Sequence, residues 1–259
     1  MITDRLTLQA AFMLATALLA GAAAALEPLS GYVFLSPETQ AMQDDEFGNP
    51  GIVAVDKGET LFREHREHEE FACASCHGDN AEKLDLKKIA SYPRYASNLG
   101  GLVTLQDQIS QCWEINLDRF PLMYDAPELV TLETYVRSRA SGEYVNVQTD
   151  GPMEDLLQQG EALYQTRLGQ IGMACQHCHV QHQGQMLRGQ RLTQGQANGF
   201  PVYRLAKGEI TSLHKRLRQC FISFRAEPFD PGSEEFKLLE LYLMSRGNGL
   251  KIETPAVRF

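Results

Sequence analysis

The sequence predicts a mainly α-helical fold made of two tandem copies of one unit. Three observations support this prediction: one cysteine motif occurs twice, the residues around the two motifs align with each other, and a helical pattern of apolar residues follows each motif. Self-similarity over such long segments indicates duplication of a whole domain. A chain of 259 residues is long enough to give each copy its own hydrophobic core.

The composition is that of a folded, globular protein. Hydrophobic residues make up 43% of the chain, and the formal net charge is -9. This balance excludes a disordered chain and argues against general binding of polyanions, so we expect no nucleic-acid partner.

Residues 1–25 have the pattern of a secretory signal peptide. A short start with Arg5 precedes an apolar run over residues 6–19, and small residues lead to an A-x-A site at 23–25. The apolar run is short for a membrane span, although an uncleaved anchor is the alternative. We expect a periplasmic mature protein that begins at Leu26 and has no membrane span.

Four of the six cysteines lie in two C-x-x-C-H motifs, Cys73-Ala74-Ser75-Cys76-His77 and Cys175-Gln176-His177-Cys178-His179. In this motif each cysteine can bond to a vinyl group of haem, and the histidine becomes an axial ligand of the iron. One copy could be chance or a redox dithiol. Two copies in an exported chain predict two covalently bound haem c groups.

The alignment extends well beyond the motifs. Before them, four residues match at a shift of 102 positions: Gly58 with Gly160, Leu61 with Leu163, Phe62 with Tyr164 and Cys73 with Cys175. After them, Glu133, Tyr135, Ser138 and Arg139 match Glu240, Tyr242, Ser245 and Arg246 at a shift of 107. The chain is therefore a tandem duplication.

Each copy ends in a predicted amphipathic helix. Residues 126–139 place Leu129, Leu132, Tyr135 and Val136 on one face, and residues 233–246 do the same with Phe236, Leu239, Tyr242 and Leu243. Ser233 is the predicted cap of the second helix. The order of helix, haem motif, irregular loop and helix is typical of the class I cytochrome c fold.

These patterns divide the chain into four parts. We expect the signal peptide at 1–25, an extension at 26–57 that forms an irregular arm around one domain, a first cytochrome c-like domain at 58–145 and a second at 146–259. The segment 143–155, which contains Gly151-Pro152, is the predicted linker.

Cys112 and Cys220 occupy equivalent places in the two copies. Cys112 lies 35 residues after His77, and Cys220 lies 41 residues after His179. Class I cytochromes usually supply a methionine from this region, and Met123 and Met186 are candidates. A disulfide between the two cysteines is another alternative. We favour thiolate ligation of both irons because the cysteines repeat at corresponding points and the methionines do not.

Thiolate ligation has a chemical consequence. An anionic sulfur stabilises ferric iron and so lowers the reduction potential of the haem. A chain with two such haems is poorly suited to carry electrons at high potential. The same sulfur can be persulfidated and enter covalent sulfur chemistry.

Basic residues crowd the approach to Cys220 in the stretch HKRLRQC, residues 214–220. On a helix Arg216 shares a face with Cys220, whereas Arg218 does not. A guanidinium beside a sulfur site can dock an oxyanion through its fork of N–H donors. The alternatives are a solvated basic face or pairing with a haem propionate. Arg246 is a weaker candidate, since its repeat partner Arg139 suggests a role in the fold.

The chain resembles the SoxA family, the dihaem subunits of the SoxAX cytochromes of bacterial sulfur oxidation. The resemblance rests on MQDDEFGNPG at residues 42–51, both C-x-x-C-H motifs, Cys112, Cys220 and the stretch KRLRQC. It implies that Cys112 and Cys220 are distal haem ligands. It also implies that Cys220 is the catalytic cysteine, able to carry a persulfide, and that Arg216 binds substrate.

The resemblance further implies an L-cysteine S-thiosulfotransferase that couples thiosulfate oxidatively to a cysteine of the SoxYZ carrier. Electrons would pass through the haem of a SoxX subunit, the partner in a heterodimer, to a cytochrome c acceptor. The second domain would be catalytic. Because TLQDQISQCW, residues 104–113, carries no arginine, we expect the first haem to be structural or an electron reservoir. A plain dihaem electron-transfer protein and a cytochrome peroxidase are the alternative functions.

Overall fold

The structure is a computed structural model that describes residues 27–65 and 71–259. The predicted signal peptide therefore lies outside the described residues. Within the described part of the chain, no helix is both long enough and apolar enough to cross a membrane.

The described residues are mainly helical, as predicted. The helices are α1 (Pro37–Asp44), α2 (Ile52–Arg63), α3 (Cys73–His77), α4 (Leu86–Ile89), α5 (Leu105–Leu117), α6 (Pro127–Arg139), α7 (Glu154–Gln165), α8 (Leu213–Ser223) and α9 (Glu234–Ser245). The strands are β1 (Arg94–Ala96), β2 (Gly101–Val103), β3 (Met186–Leu187), β4 (Gln190–Arg191), β5 (Val202–Arg204), β6 (Glu209–Thr211) and β7 (Ala256–Arg258).

Each repeat is built on a close crossing of its first and last long helices. A methyl group on Gly58 of α2 would stand 2.4 Å from the carbonyl oxygen of Thr131 in α6. A methyl group on Gly160 of α7 would stand 2.3 Å from the carbonyl oxygen of Leu238 in α9. Only glycine permits so close an approach of two helix backbones, which explains why this residue aligns between the repeats.

Aromatic pairs fill the same crossings. The rings of Phe62 and Tyr135 have centroids 5.1 Å apart, and those of Tyr164 and Tyr242 are also 5.1 Å apart. The apolar faces predicted for α6 and α9 lie in the core, with Tyr242 the least buried of them. Ser233 caps α9 as predicted, since its hydroxyl accepts a hydrogen bond from the amide of Phe236.

A short β-hairpin precedes the cysteine-bearing helix in both repeats. Strands β1 and β2 lead into α5, and β5 and β6 lead into α8, with the pairs Ala96–Gly101 and Arg204–Glu209 at equivalent register positions. Thr104 and Ser212 cap the two helices through their hydroxyls. The hairpins and caps therefore fix where Cys112 and Cys220 stand.

The N-terminal extension is more ordered than an irregular arm. It contains α1, which Ser36 caps and Pro37 begins. The arm packs on the C-terminal end of the chain, where Asn49 Nδ2 donates to the carbonyl oxygen of Pro255 at 2.9 Å and Gln43 Oε1 accepts from the amide of Val257 at 3.0 Å. It is thus held by the second repeat, beside β7.

The segment between the repeats is also packed rather than free. Val145 and Val147 are buried, and their amides donate to the Leu250 carbonyl and to Asn248 Oδ1 at 2.9 and 2.8 Å. The connection therefore forms part of the surface that joins the repeats.

Candidate haem centres

The first C-x-x-C-H motif forms the short helix α3, which follows α2. Burial raises the pKa of the Cys73 thiol to about 11, partly offset by the nearby guanidinium of Arg119 and reinforced by the Cys112 thiol. The structure thus brings Cys112 to the first motif. Burial also lowers the pKa of His77, which favours the neutral imidazole needed for metal ligation.

A hydrogen-bonded chain reaches the sulfur of Cys112. Gln108 Nε2 donates to Cys112 Sγ at 3.3 Å, and the Tyr92 hydroxyl donates to Gln108 Oε1 at 3.1 Å. The guanidinium of Arg94 lies beside the Tyr92 phenol and opposes the rise that burial causes in its pKa. The first centre therefore has a basic neighbour on β1, although α5 itself has a glutamine one turn before its cysteine.

The second motif brings Cys220 close to both of its cysteines. Burial raises the pKa of the Cys175 thiol to about 12, with the Cys220 thiol as the next cause. Burial and Cys220 also raise the pKa of Cys178. Cys112 and Cys220, the two cysteines outside the motifs, thus each lie near the C-x-x-C-H motif of their own repeat.

The imidazole ring of His179 is held by a contact with the backbone. Its Nδ1 lies 2.8 Å from the carbonyl oxygen of Thr193, which leaves Nε2 available for iron. Burial lowers the pKa of His179 and favours the neutral ring. The backbone fits around this ring, since a methyl group on Gly195 would stand 3.0 Å from His179 Cγ.

These observations test whether the residues suit haem, and they do. Each centre combines two free thiols at vinyl-bonding spacing, an adjacent histidine and a third sulfur from the opposite helix. Cys112 and Cys220 form no disulfide. Met123 and Met186 have 82% and 60% of their surfaces exposed, which suits a ligand of a buried iron poorly.

Three arginines surround the second centre. The positive charges of Arg216 and Arg246 both act on His179, and the Arg246 guanidinium also lies 4.8 Å from the ring centroid of Tyr164. The third is Arg204 at the end of β5, where Arg216 and Cys220 influence its pKa. Arg216 and Cys220 are four positions apart on α8, so they share a face of this helix, as predicted.

Arg204 was not identified from the sequence. The signal that could have found it is the alignment of 94–96 with 202–204, which puts Ala96 in one repeat opposite a charged Arg204 in the other. Strands of three residues are too short for such an alignment to be apparent without the hairpin register.

The helical fold and the two C-x-x-C-H centres define a c-type cytochrome with covalently bound haem c. The family model described as the SoxA/TsdA cytochrome c domain matches residues 57–145 and 159–252. The L-cysteine S-thiosulfotransferase subunit SoxA of Pseudaminobacter salicylatoxidans is 38% identical, over 90% of this chain and 81% of its own. That of Rhodovulum sulfidophilum is 36% identical, over 88% and 79%.

A solved structure gives the same result. The crystal structure of SoxXA from Paracoccus pantotrophus has a TM-score of 0.83 and 34% sequence identity, covering 90% of this chain and 87% of that chain. The chain belongs to the SoxA family, as its motifs predicted.

Proposed function

We propose that the protein carries two covalently bound haem c groups, one in each repeat. Cys73 and Cys76 attach the first, and Cys175 and Cys178 attach the second. His77 and His179 are the proximal ligands, with Cys112 and Cys220 as the distal ligands. When bound, haem supplies one-electron redox chemistry, and a distal thiolate keeps its potential low.

The reaction is the oxidative coupling of thiosulfate to a cysteine of the SoxYZ carrier. The thiol of that cysteine loses its proton, a bond forms between its sulfur and the outer sulfur of thiosulfate, and the product is a cysteine S-thiosulfonate. One proton and two electrons are released. The electrons leave through the haem of a SoxX partner in a heterodimer to a cytochrome c acceptor.

Arg216 and Cys220 divide the work of the active centre. The Arg216 guanidinium donates through its planar fork of N–H groups to sulfonate oxygens of thiosulfate. This contact directs the outer sulfur of thiosulfate toward Cys220. By the same proposal Cys220 is the catalytic cysteine beside which the coupling takes place, and its sulfur is of the kind that is able to carry a persulfide.

The observation that carries this proposal is a difference between the repeats. Gln108 and Arg216 occupy the same position, one helical turn before Cys112 and Cys220. The glutamine donates a neutral hydrogen bond to its cysteine, whereas the arginine brings a positive charge to the second centre, where it acts on His179. Only the second centre is therefore equipped for an anionic substrate on this helix.

The test is to give the second centre the residue of the first. Arg216→Gln should raise the KM for thiosulfate about 10- to 100-fold, because a charge-assisted contact is lost. Visible and EPR spectra should show both haems unchanged. Arg218→Gln is the matched control, since it removes the same charge from α8 two residues from Cys220. Equal losses in the two variants would contradict a specific site.

The location follows from the same proposal. Residues 1–25 direct export to the periplasm, where haem attachment and thiosulfate oxidation take place. Cleavage after Ala25 leaves a mature chain without the apolar run of residues 6–19.

A further inference from the structure

We propose that Arg204 is a second substrate-binding residue, which shares the charge of thiosulfate with Arg216 beside Cys220. This inference rests on the proposed function and adds a residue to its active centre. It explains how the site holds a dianion, for which one arginine supplies only half of the countercharge.

The position of Arg204 favours an anionic partner. Only 7% of its surface is exposed. Its Nη1 donates to Oε1 of Gln219 at 3.3 Å, and Gln219 is the residue before Cys220. Its Nε is buried without a hydrogen-bond partner among the described residues. Burying a guanidinium with an unused donor is costly unless a charged acceptor reaches it.

The charges around Arg204 also favour an anion beside it. Burial lowers the pKa of Arg204 to about 10. The Arg216 guanidinium lowers this pKa further and the Cys220 thiol opposes the shift, so both groups lie close to Arg204. Glu209 stands opposite Arg204 in the hairpin, but its carboxylate binds Lys215 Nζ at 2.9 Å. Two neighbouring cations repel each other unless an anion lies between them.

The first repeat lacks this pair of cations. Ala96 takes the hairpin position of Arg204, and Gln108 takes the helix position of Arg216. Arg94, the arginine of the first hairpin, stands two residues earlier and lies beside Tyr92. A pair that served haem propionates in general would be expected at both centres, whereas a pair that serves thiosulfate is needed only at the second.

The two arginines approach the substrate from different elements. Arg204 comes from the end of β5 and Arg216 from the first half of α8. Contacts from two directions fix the sulfonate group of thiosulfate more firmly than one fork does, and they leave its outer sulfur to face Cys220.

The experiment uses the haem-loaded protein with its SoxX partner and compares Arg204→Gln with Lys207→Gln. The control removes the same charge from an exposed position of the same hairpin. Arg204→Gln should raise the KM for thiosulfate about tenfold or more. Lys207→Gln should change it less than about twofold, as expected for an exposed charge. Both variants should keep the haem midpoint potentials of the wild type.

Three outcomes would overturn the inference: an unchanged KM, an equal rise in the control, or a raised KM together with a shifted potential of the second haem, which would assign Arg204 to a propionate. Should Arg204→Gln fail to load haem, Arg204→Lys carries the test. It keeps the charge but loses the fork, so its KM must still rise. If Arg216→Gln raises the KM and the Arg204 variants do not, this inference fails while the proposed function stands.

Discussion

The imidazole of His214, in the second repeat, stacks on the phenol ring of Tyr124, in the first, with ring centroids 4.6 Å apart. His214 Nδ1 accepts from the amide of Gly232 at 3.0 Å, so its Nε2 carries the proton and lies 3.1 Å from Glu240 Oε2. The Tyr124 hydroxyl donates to the same oxygen at 3.3 Å. The start of α8, the helix that carries Cys220, is therefore fixed by contacts with the other repeat.

The first repeat has a matching contact. Gln106 occupies the position of His214, and its Nε2 donates to Glu133 Oε2 at 2.8 Å, where Glu133 is the repeat partner of Glu240. The two buried carboxylates lie near each other, since Glu240 contributes to the raised pKa of Glu133. Both cysteine-bearing helices thus begin at one shared polar interface.

Glu133 should make the stability of the protein depend on pH. Burial raises its pKa from the usual value near 4.5 to about 7, although Arg137 opposes the shift. The folded state then holds a proton that the unfolded state has released, so this group costs stability as pH rises from about 4.5 to 7. Glu133→Gln should remove that cost and raise the free energy of unfolding above pH 7 by roughly 2 to 3 kcal/mol.

Urea unfolding of the haem-loaded protein at several pH values measures this effect. The gain of Glu133→Gln over the wild type should be small at pH 4.5 and grow toward neutral pH. Glu128→Gln is the control, because it removes an exposed carboxylate from the first turn of the same helix. A gain that is constant with pH would assign the effect to packing.

The long helices and the haem motifs could be predicted from the sequence because their signals are local. The apolar spacing of α6 and α9, the serine cap at 233 and the C-x-x-C-H spacing each depend on residues a few positions apart. These patterns occur in both repeats, so the prediction made for one repeat is supported by the same pattern in the other.

The remaining parts depend on contacts between distant residues. Val145 and Val147 belong to the predicted linker, yet both are buried. Their backbone amides find partners in Leu250 and Asn248, which lie about a hundred residues further along the chain. Arg204 was not identified from the sequence, and the hairpin places it where it contacts Gln219, the residue before Cys220. Neither placement leaves a periodic pattern in the sequence.

The helix crossing of the second repeat gives a packing prediction. In Gly160→Ala the new methyl group would collide with the carbonyl oxygen of Leu238, a rigid backbone atom, so α7 and α9 must separate. We expect a loss of about 1 to 3 kcal/mol in the free energy of unfolding, despite the better helix propensity of alanine. Calorimetry should show a lower Tm.

The control for this variant is Gln158→Ala, an exposed change two residues earlier in α7. It should leave the Tm nearly unchanged. Gly58→Ala should destabilise the first repeat in the same way, since its methyl group would meet the Thr131 carbonyl oxygen. A stabilising effect of Gly160→Ala would show that the two helices do not cross at this residue.

Exchanging the distal cysteines for methionine separates their roles. Cys220→Met should give one haem a His/Met spectrum and a higher potential, because a neutral thioether replaces an anionic thiolate. The flexible methionine side chain can fill the half-buried site, so the fold should persist. Coupling of thiosulfate to the carrier should be lost, since no sulfur remains there that can be persulfidated.

Cys112→Met is the matched variant in the first repeat. It should change the spectrum and potential of the other haem in the same direction, because Cys112 lies beside Cys73 as Cys220 lies beside Cys175. It should keep much of the activity, since Gln108 and Ala96 replace the two arginines there. EPR, redox titration and the thiosulfate assay on both variants provide the comparison. Full activity of Cys220→Met would place the sulfur chemistry at another residue and reduce HKRLRQC to a ligand-bearing helix with a basic surface.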